Sequence, residues 1–443
     1  MKVLLNRWFA TAAALLAFAV ASVSQVGAGD DISTPGTASV LSLRNDTSHT
    51  SYASSEVDVP ADPTGSVVSE GTEENCIDQF AGAPGRFWFE GDYLHWWTRG
   101  QHLPPLVSTV TDLNNPTGSL QTVYGNQTVE NGDRNGFLGE IGGWFDCAHT
   151  WGMQIEYFDL GQANNNYDSG FSDGFVNGAS VPLVRPFYDP AAGIGVDAVA
   201  YPNQYAGRVT VVTSSYFQSA AATLRHSLYA TDWAVGESNV NWIDGAARSV
   251  RVDVLGGYRY MRLNDEVTAS DSEIDINAAS PTYLNTFTNI DSYKTRNDFN
   301  GGEIGLDMTT TRGRWSIETI GKVAIGDTRQ VANLYGFVGQ DASNVGGGVG
   351  SNTLASEYSR DRFSMIPQFT INAGFNVTDY LKLTAGYDIM YWSHVARAGD
   401  QIAVNGGTGL PYGSLIGTPL PAFAFQDNYF WAQGFRIGAE LRY

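Results

Sequence analysis

The chain has 443 residues, among them 50 Gly, 22 Phe, 22 Tyr and 11 Trp, and only 16% are charged, against roughly 25% in an ordinary soluble protein. Asp and Glu outnumber Lys and Arg by 46 to 25, a formal charge of −21, so the basic surface a nucleic-acid binder needs is missing. Beyond the N-terminus no apolar run is long enough for a spanning helix, whereas a lipid-facing β-barrel accounts for many aromatics and few charges, because only alternate residues of each strand meet acyl chains.

The first residues carry Lys2 and Arg7, then the apolar stretch Trp8 to Val20, then small residues. This is the pattern of an export signal, so residues 1–28 are expected to be a signal peptide cleaved after Ala28, or after Ala21; an uncleaved anchor is the alternative. Residues 29–85 are rich in Ser, Thr, Asp, Glu, Gly and Pro, as in Asp58-Val59-Pro60-Ala61-Asp62-Pro63 and Glu70-Gly71-Thr72-Glu73-Glu74. They offer too little apolar surface to offset ordering entropy, which predicts a flexible acidic periplasmic linker.

From residue 86 onward the pattern becomes alternation with period two, the strand signal. Phe87, Phe89, Tyr93 and Trp97 oppose Glu90 and Asp92; Phe137, Ile141 and Phe145 oppose Glu140 and Asp146; Trp151, Met153, Ile155 and Tyr157 oppose Gln154 and Glu156. The stretch 214–229 alternates least. Val250, Val252, Val254, Tyr258 and Tyr260 oppose Arg251, Asp253 and Arg259, and Trp315, Ile317, Val323 and Ile325 oppose Glu318 and Lys322. The clearest pair is 363–377 with 380–392, joined by the short turn Asn376-Val377-Thr378-Asp379 and placing Leu381, Leu383, Ile389 and Tyr391 opposite Lys382, Thr384 and Asp388. Phe435, Ile437, Ala439, Leu441 and Tyr443 close the chain against Arg436, Glu440 and Arg442.

The spacing predicts strands near 86–98, 136–147, 150–160, 214–229, 248–263, 299–309, 314–326, 362–376, 380–393 and 429–443, about ten in all. Their connections alternate between long, at about 99–135, 161–213, 264–298, 327–361 and 394–428, and short. The join at 230–247 is irregular and could hide two more strands, which makes twelve the alternative. The expected fold is an all-β, antiparallel up-and-down transmembrane β-barrel over residues 86–443, with long extracellular loops and short periplasmic turns. Apolar side chains are expected to point to lipid and polar ones into the lumen. A soluble sandwich also alternates, but it carries charges on its outer face.

Several stretches resemble a known family. Trp88-Phe89-Glu90-Gly91-Asp92-Tyr93-Leu94-His95-Trp96-Trp97, with Leu103-Pro104-Pro105-Leu106-Val107, is similar to the first-strand signature of the planctomycete putative beta-barrel porin family, the seventh of its numbered series. Asp253 to Tyr260, Asn297 to Gly305, Lys322 to Gly326, Gly386-Tyr387-Asp388 and Arg397-Ala398-Gly399-Asp400-Gln401 resemble its later motifs, with Ala398 where the family tends to show Pro. The resemblance implies a barrel in the outer membrane and leaves transport open.

Lumen-facing candidates are Glu90, Asp92, Glu140, Glu156, Arg225, Arg251, Asp253, Arg259, Glu318, Lys322, Lys382, Asp388, Arg436, Glu440 and Arg442. A barrel of about ten strands is little wider than one filled by its own side chains, so these charges are expected to pair across it. Three functions stay open: a structural, surface-interaction or narrow-pore role; selective diffusion of small solutes; and a rim enzyme using His102 or His394 with Asp112 or Asp400. No Gly-x-Ser-x-Gly, HExxH, P-loop or CxxC motif is present, so no catalytic, cofactor or metal residue is named. Expected partners are outer-membrane lipid, the assembly machinery through the C-terminal strand, and divalent cations at loop acids such as Asp265, Glu266, Asp271, Glu273 and Asp275. Cys76 precedes the first strand and Cys147 lies in a turn on the same side; they either form a disulfide or remain two thiols. The C-terminus is expected in the periplasm.

Overall fold

The computed structural model describes residues 86–146, 148–189, 193–233, 248–341, 350–403, 410–411 and 423–443. Ten antiparallel strands close into one barrel: β1 (Phe87–Thr98), β2 (Asp133–Trp144), β3 (Trp151–Asp168), β4 (Tyr205–Trp233), β5 (Arg248–Asp275), β6 (Thr286–Arg312), β7 (Trp315–Asp341), β8 (Gly350–Asn376), β9 (Leu381–Val395) and β10 (Asn428–Arg442). Each pairs with its neighbours in sequence, and β1 closes the ring by pairing with both β2 and β10, so Trp88 stands opposite Gly142 on one side and Arg442 on the other. Closure leaves no unpaired backbone edge, which a bilayer requires. Pairing of β4 with β5 runs from Tyr205 opposite Asp275 to Trp233 opposite Arg248. No further strand can enter the ring between them, and the twelve-stranded alternative is excluded.

Period-two alternation puts the apolar set outside. Leu383, Ile389, Ile437 and Leu441 are 46–62% exposed, and Ile304, Ile317, Phe363 and Ile371 lie on the same outer surface. Along β7 the outward positions are apolar or small from Trp315 to Ile325 and then become Asp327 and Arg329, both exposed. That stretch is about the length a tilted strand needs to cross the hydrocarbon. Its far edge is marked by tyrosines tied to polar neighbours on the next strand: Tyr93 donates to Asn135 at 2.6 Å, Tyr258 to Asn300 at 2.6 Å and Tyr260 to Asp298 at 2.8 Å. An amphipathic ring with its hydroxyl paired suits the membrane–water boundary.

Beyond this edge β4 to β8 continue as strands. The connections expected over 264–298 and 327–361 are therefore mostly sheet: Asn264 pairs with Arg296, Asp271 with Asn289 and Arg329 with Asp361. Against the inner face of this extension packs a four-stranded sheet in the order Gly193–Ala200, Leu183–Asp189, Val107–Val110, Leu120–Tyr124. Leu103, Val107 and Val199 meet Val209, Val211, Val267 and Ala269 there in one buried cluster. One register slip, where β3 meets β4 between Tyr216 and Gln218, falls beside Gly161 at φ 63°, a backbone conformation that Gly adopts without the clash a side chain would bring.

Candidate functional site

The lumen is the candidate site, and it is built in two tiers. Near the short-turn end most inward positions are polar, with Trp88, Trp144 and Leu255 among them, and at one level further along the inward positions become apolar. Along β1 the sequence is Glu90 and Asp92, then Leu94 and Trp96; along β9 it is Lys382, Thr384 and Asp388, then Met390 and Trp392; along β10 it is Glu440 and Arg436, then Ala432 and Phe430. Glu156 gives way to Phe158, Arg259 to Met261, Glu303 to Phe299, Lys322 to Ala324 and Gln368 to Ile366 in the same manner.

The polar tier is a set of ion pairs. Arg436 contacts Glu90 at 2.8 Å and Asp92 at 2.6 Å, and Thr384 donates to Asp92 at 3.0 Å. Arg259 contacts Glu303 at 2.6 Å and Glu156 at 3.3 Å, and Lys322 lies 3.4 Å from Glu156 and 3.6 Å from Glu303. Nearer the short turns Lys382 contacts Glu440 at 3.0 Å, Arg442 also contacts Glu440, Arg251 contacts Asp253 at 2.8 Å, and Arg225 contacts Asp253 and Asp307. Charges held this far from water persist because partners replace their hydration. Glu140 accepts from the Trp88 indole at 2.8 Å, Glu318 from Asn372 at 3.4 Å, and Asp388 from Thr370 at 2.5 Å. Among the described residues these three carboxylates have no Lys or Arg nitrogen within 4.0 Å.

Inward glycines make room for bulk. A side chain at Gly142 would collide with the Trp88 indole, and one at Gly152 would lie 2.8 Å from the Trp144 ring. Both indoles carry cations on their faces: Arg225 sits 5.4 Å from Trp88 and 5.2 Å from Trp144, and Arg251 4.0 Å from Trp144. Around them lies a cavity of about 290 Å³ whose lining includes Glu140, Glu318, Thr309, Thr311, His149 and Arg442.

The apolar tier corrects the expectation of a lumen that keeps only polar side chains. Leu94, Trp96, Phe158, Phe217, Met261, Phe299, Trp392 and Phe430 are almost fully buried and form one cluster. Phe217 is central, with ring centroids 4.8 Å from Phe430, 5.4 Å from Phe158 and 6.4 Å from Trp392. Above it the chain after β9 turns inward, so that Val395 to Gly399, Gln401 and Ile402 are buried. Ala398, at φ −59°, begins a 3₁₀ turn over Gly399–Gln401, so the turn forms without proline. Arg397 is paired there with Asp265 and donates to the Arg99 carbonyl at 3.0 Å.

The acids expected in a solvated loop are on β5 instead. Asp265, Asp271, Glu273 and Asp275 are buried, Asp265 against Arg397 and Asp271 with Asp291 against Arg185, because their strand runs on above the membrane edge. Among the described residues no three His, Cys, Asp or Glu side chains group as metal ligands. For the rim chemistry, Asp112 accepts from the backbone N–H of Asn114 at 2.9 Å and Asp400 from Asn428 at 2.6 Å, and the structure pairs neither carboxylate with His102 or His394. Cys76 and Cys147, with the signal and linker segments, lie outside the described residues.

A family model described as putative beta barrel porin-7 matches residues 88–443. No curated protein matches the chain. Among solved structures it is similar to the outer membrane protease OmpT from Escherichia coli (11% identity, 82% of this chain and 98% of that one, TM-score 0.34). It is also similar to a Pseudomonas aeruginosa FadL homologue (9%, 81% and 89%, TM-score 0.18) and to the P. putida toluene transporter TodX (10%, 81% and 90%, TM-score 0.19). At this level of similarity none of these bears on what the chain does.

Proposed function

The chain belongs to the putative beta barrel porin-7 family and is an outer-membrane β-barrel; from that premise we propose that its role is structural or surface-presenting, with a lumen closed to solutes. The observation that carries this reading is the change, at one level around the barrel, from a tier of mostly charged and polar side chains to a packed apolar tier centred on Trp96, Phe158, Phe217, Phe299, Trp392 and Phe430. An aqueous channel needs a wetted path, and a plug of Trp and Phe rings under a buried loop offers none. The strand extension supports display: β4 to β8 rise beyond the tyrosine edge as continuous sheet stiffened by an inner core.

The remaining assignments follow the same reading. Residues 1–28 direct export and 29–85 form an acidic periplasmic linker. The two-residue turn between Arg312 and Trp315 and the four-residue turn after Asn376 share an end with Phe87 and Tyr443, whose backbones are hydrogen-bonded. Short turns are periplasmic in outer-membrane barrels, which supports a periplasmic C-terminus. Outward Phe435, Ile437, Leu441 and Tyr443 support recognition of the last strand by the assembly machinery.

Efflux from vesicles tests the proposal. Full-length protein folded into lipid vesicles should leave entrapped sugars and small ions retained as in empty vesicles. Release of sugar at a rate that rises with protein content would overturn closure and favour selective diffusion.

A further inference from the structure

We propose that the free edge of β8 above the membrane takes up an extended segment of another protein as an added antiparallel strand. The proposal rests on the display reading, since it needs the strand extension to stand outside lipid. The ring is closed where lipid surrounds it. Further up, β8 stays paired with β7 as far as Gly350 opposite Gln340, but it pairs with β9 only from Gln368 opposite Met390 to Asn376 opposite Lys382. Two features end the ladder between β8 and β9. Pro367 has no N–H to offer the next rung, and β9 bends away through a register slip between Trp392 and Val395, with His394 at φ 55°. Beyond that point Met365 donates its backbone N–H to the Ser393 hydroxyl at 2.9 Å.

That bond fixes which way the backbone faces. N–H groups along a strand alternate sides with period two, so those of Ala355, Glu357, Ser359, Asp361 and Phe363 point to the same side as that of Met365, away from β7. Among the described residues they have no backbone partner, and all five residues are exposed. A row of open donors and acceptors of this length selects another extended backbone. The inner face of β8 is already covered: Phe423 stacks on Tyr358 with ring centroids 4.4 Å apart, and Asp427 accepts from Arg362 at 2.7 Å and from Arg360. On the outer face Asp361 lies opposite Arg329 and Glu357 opposite Asn333, so Glu357 is the carboxylate left for an incoming base. The fitting partner is thus an extended segment with lysine or arginine on its outward parity. A second copy of this chain does not fit. Antiparallel pairing of two copies runs their two-fold axis through the face of the sheet, in the membrane plane, and inverts one barrel.

Fluorescence anisotropy with a labelled peptide of alternating lysine and threonine, long enough to lie along residues 355–363, tests this on the full chain folded in detergent. Saturable binding at one peptide per chain is expected. With its lysines on the outward parity the peptide turns the lysine N–H groups toward β8 and the threonine N–H groups away. Methylating the backbone nitrogens of the lysines should therefore weaken binding about tenfold or more, whereas methylating those of the threonines should leave it unchanged. Ser359→Pro removes an edge donor, leaves the ladder with β7 intact and should weaken binding to the same degree. An unboiled gel checks its folding, and if it does not fold the two methylated peptides carry the test. Absence of saturable binding, equal binding of both methylated peptides, undiminished binding to folded Ser359→Pro, or a dimer in detergent that Ser359→Pro dissolves would each overturn the assignment. Sugar efflux from vesicles bears on the closed lumen alone, so the two readings fail separately.

Discussion

Arg397 and Asp265 are 132 residues apart in the chain and pair in the upper lumen with side chains 1% and 0% exposed. The pair fastens the segment after β9 to the wall of β5, above the aromatic plug. The guanidinium also reaches the Arg99 and Gly100 carbonyls at 3.0 and 3.3 Å, so it joins three parts of the chain.

Removing one partner of such a pair strands a charge. Arg397→Met should destabilise the extracellular half by about 3–5 kcal/mol, and Arg397→Met with Asp265→Leu should recover most of that loss. Protease resistance of the extension, followed against urea, reads the difference; equal loss in the single and double variants would remove the pair from the account.

The aromatic plug should be costly to hollow out. Phe217→Ala deletes the ring that links Phe158, Phe430 and Trp392, a loss of about 3–5 kcal/mol if the site fails to collapse. The temperature at which the folded band disappears on an unboiled gel should fall clearly. An outward Phe363→Ala, which leaves no internal hole, should lower it much less.

On the lipid side the prediction is positional. Ile437, 62% exposed, faces acyl chains, so Ile437→Arg should cost about 2–4 kcal/mol if it lies near the bilayer midplane. Asp361→Arg, above the tyrosine edge, should be nearly neutral. Refolding into vesicles at graded urea distinguishes the two, and similar costs at both sites would misplace the membrane.

Acidity should tighten the upper lumen. Burial, helped by the nearby Asp265 carboxylate, holds the Glu130 carboxyl up at about 7 although Gln101 donates to it at 2.9 Å. Arg397 pulls it the other way, and Arg134 is a further charge beside it. A raised acid favours its protonated form in the fold, so this stability is complete below about pH 4.5 and is lost as pH rises through about 7. The change between pH 5 and pH 8 is at most about 3 kcal/mol. Protease digestion of the extension should therefore accelerate from pH 5 to pH 8, and Glu130→Gln should flatten the profile; an unchanged profile in that variant would assign the effect elsewhere.

Much of the barrel is legible in the sequence because lipid demands apolar residues on one parity alone. Leu381 to Tyr391 and Phe435 to Tyr443 show this directly, whereas the strand over 214–229 alternates least and only the β4–β5 pairing decides ten strands against twelve. The upper reaches of β5 to β8 are harder to see, because above Tyr260 and Ile325 water replaces lipid and the outward parity turns polar, as in Asp298, Asp327 and Asp361. The apolar tier was hidden for the opposite reason: both parities are apolar there. Runs such as Ile389-Met390-Tyr391-Trp392 and Tyr429-Phe430-Trp431-Ala432 break the alternation, and those breaks fall where the lumen is plugged. Pairings such as Glu303 with Arg259 depend on contact between strands, which periodicity cannot supply.

Single-channel recording is the most direct test of the closed lumen. Full-length protein inserted into a planar bilayer in molar salt should give no discrete current steps, whereas Phe217→Ala combined with Trp392→Ala and Phe430→Ala should introduce them. Long-lived steps of uniform size from the unaltered chain would contradict the account.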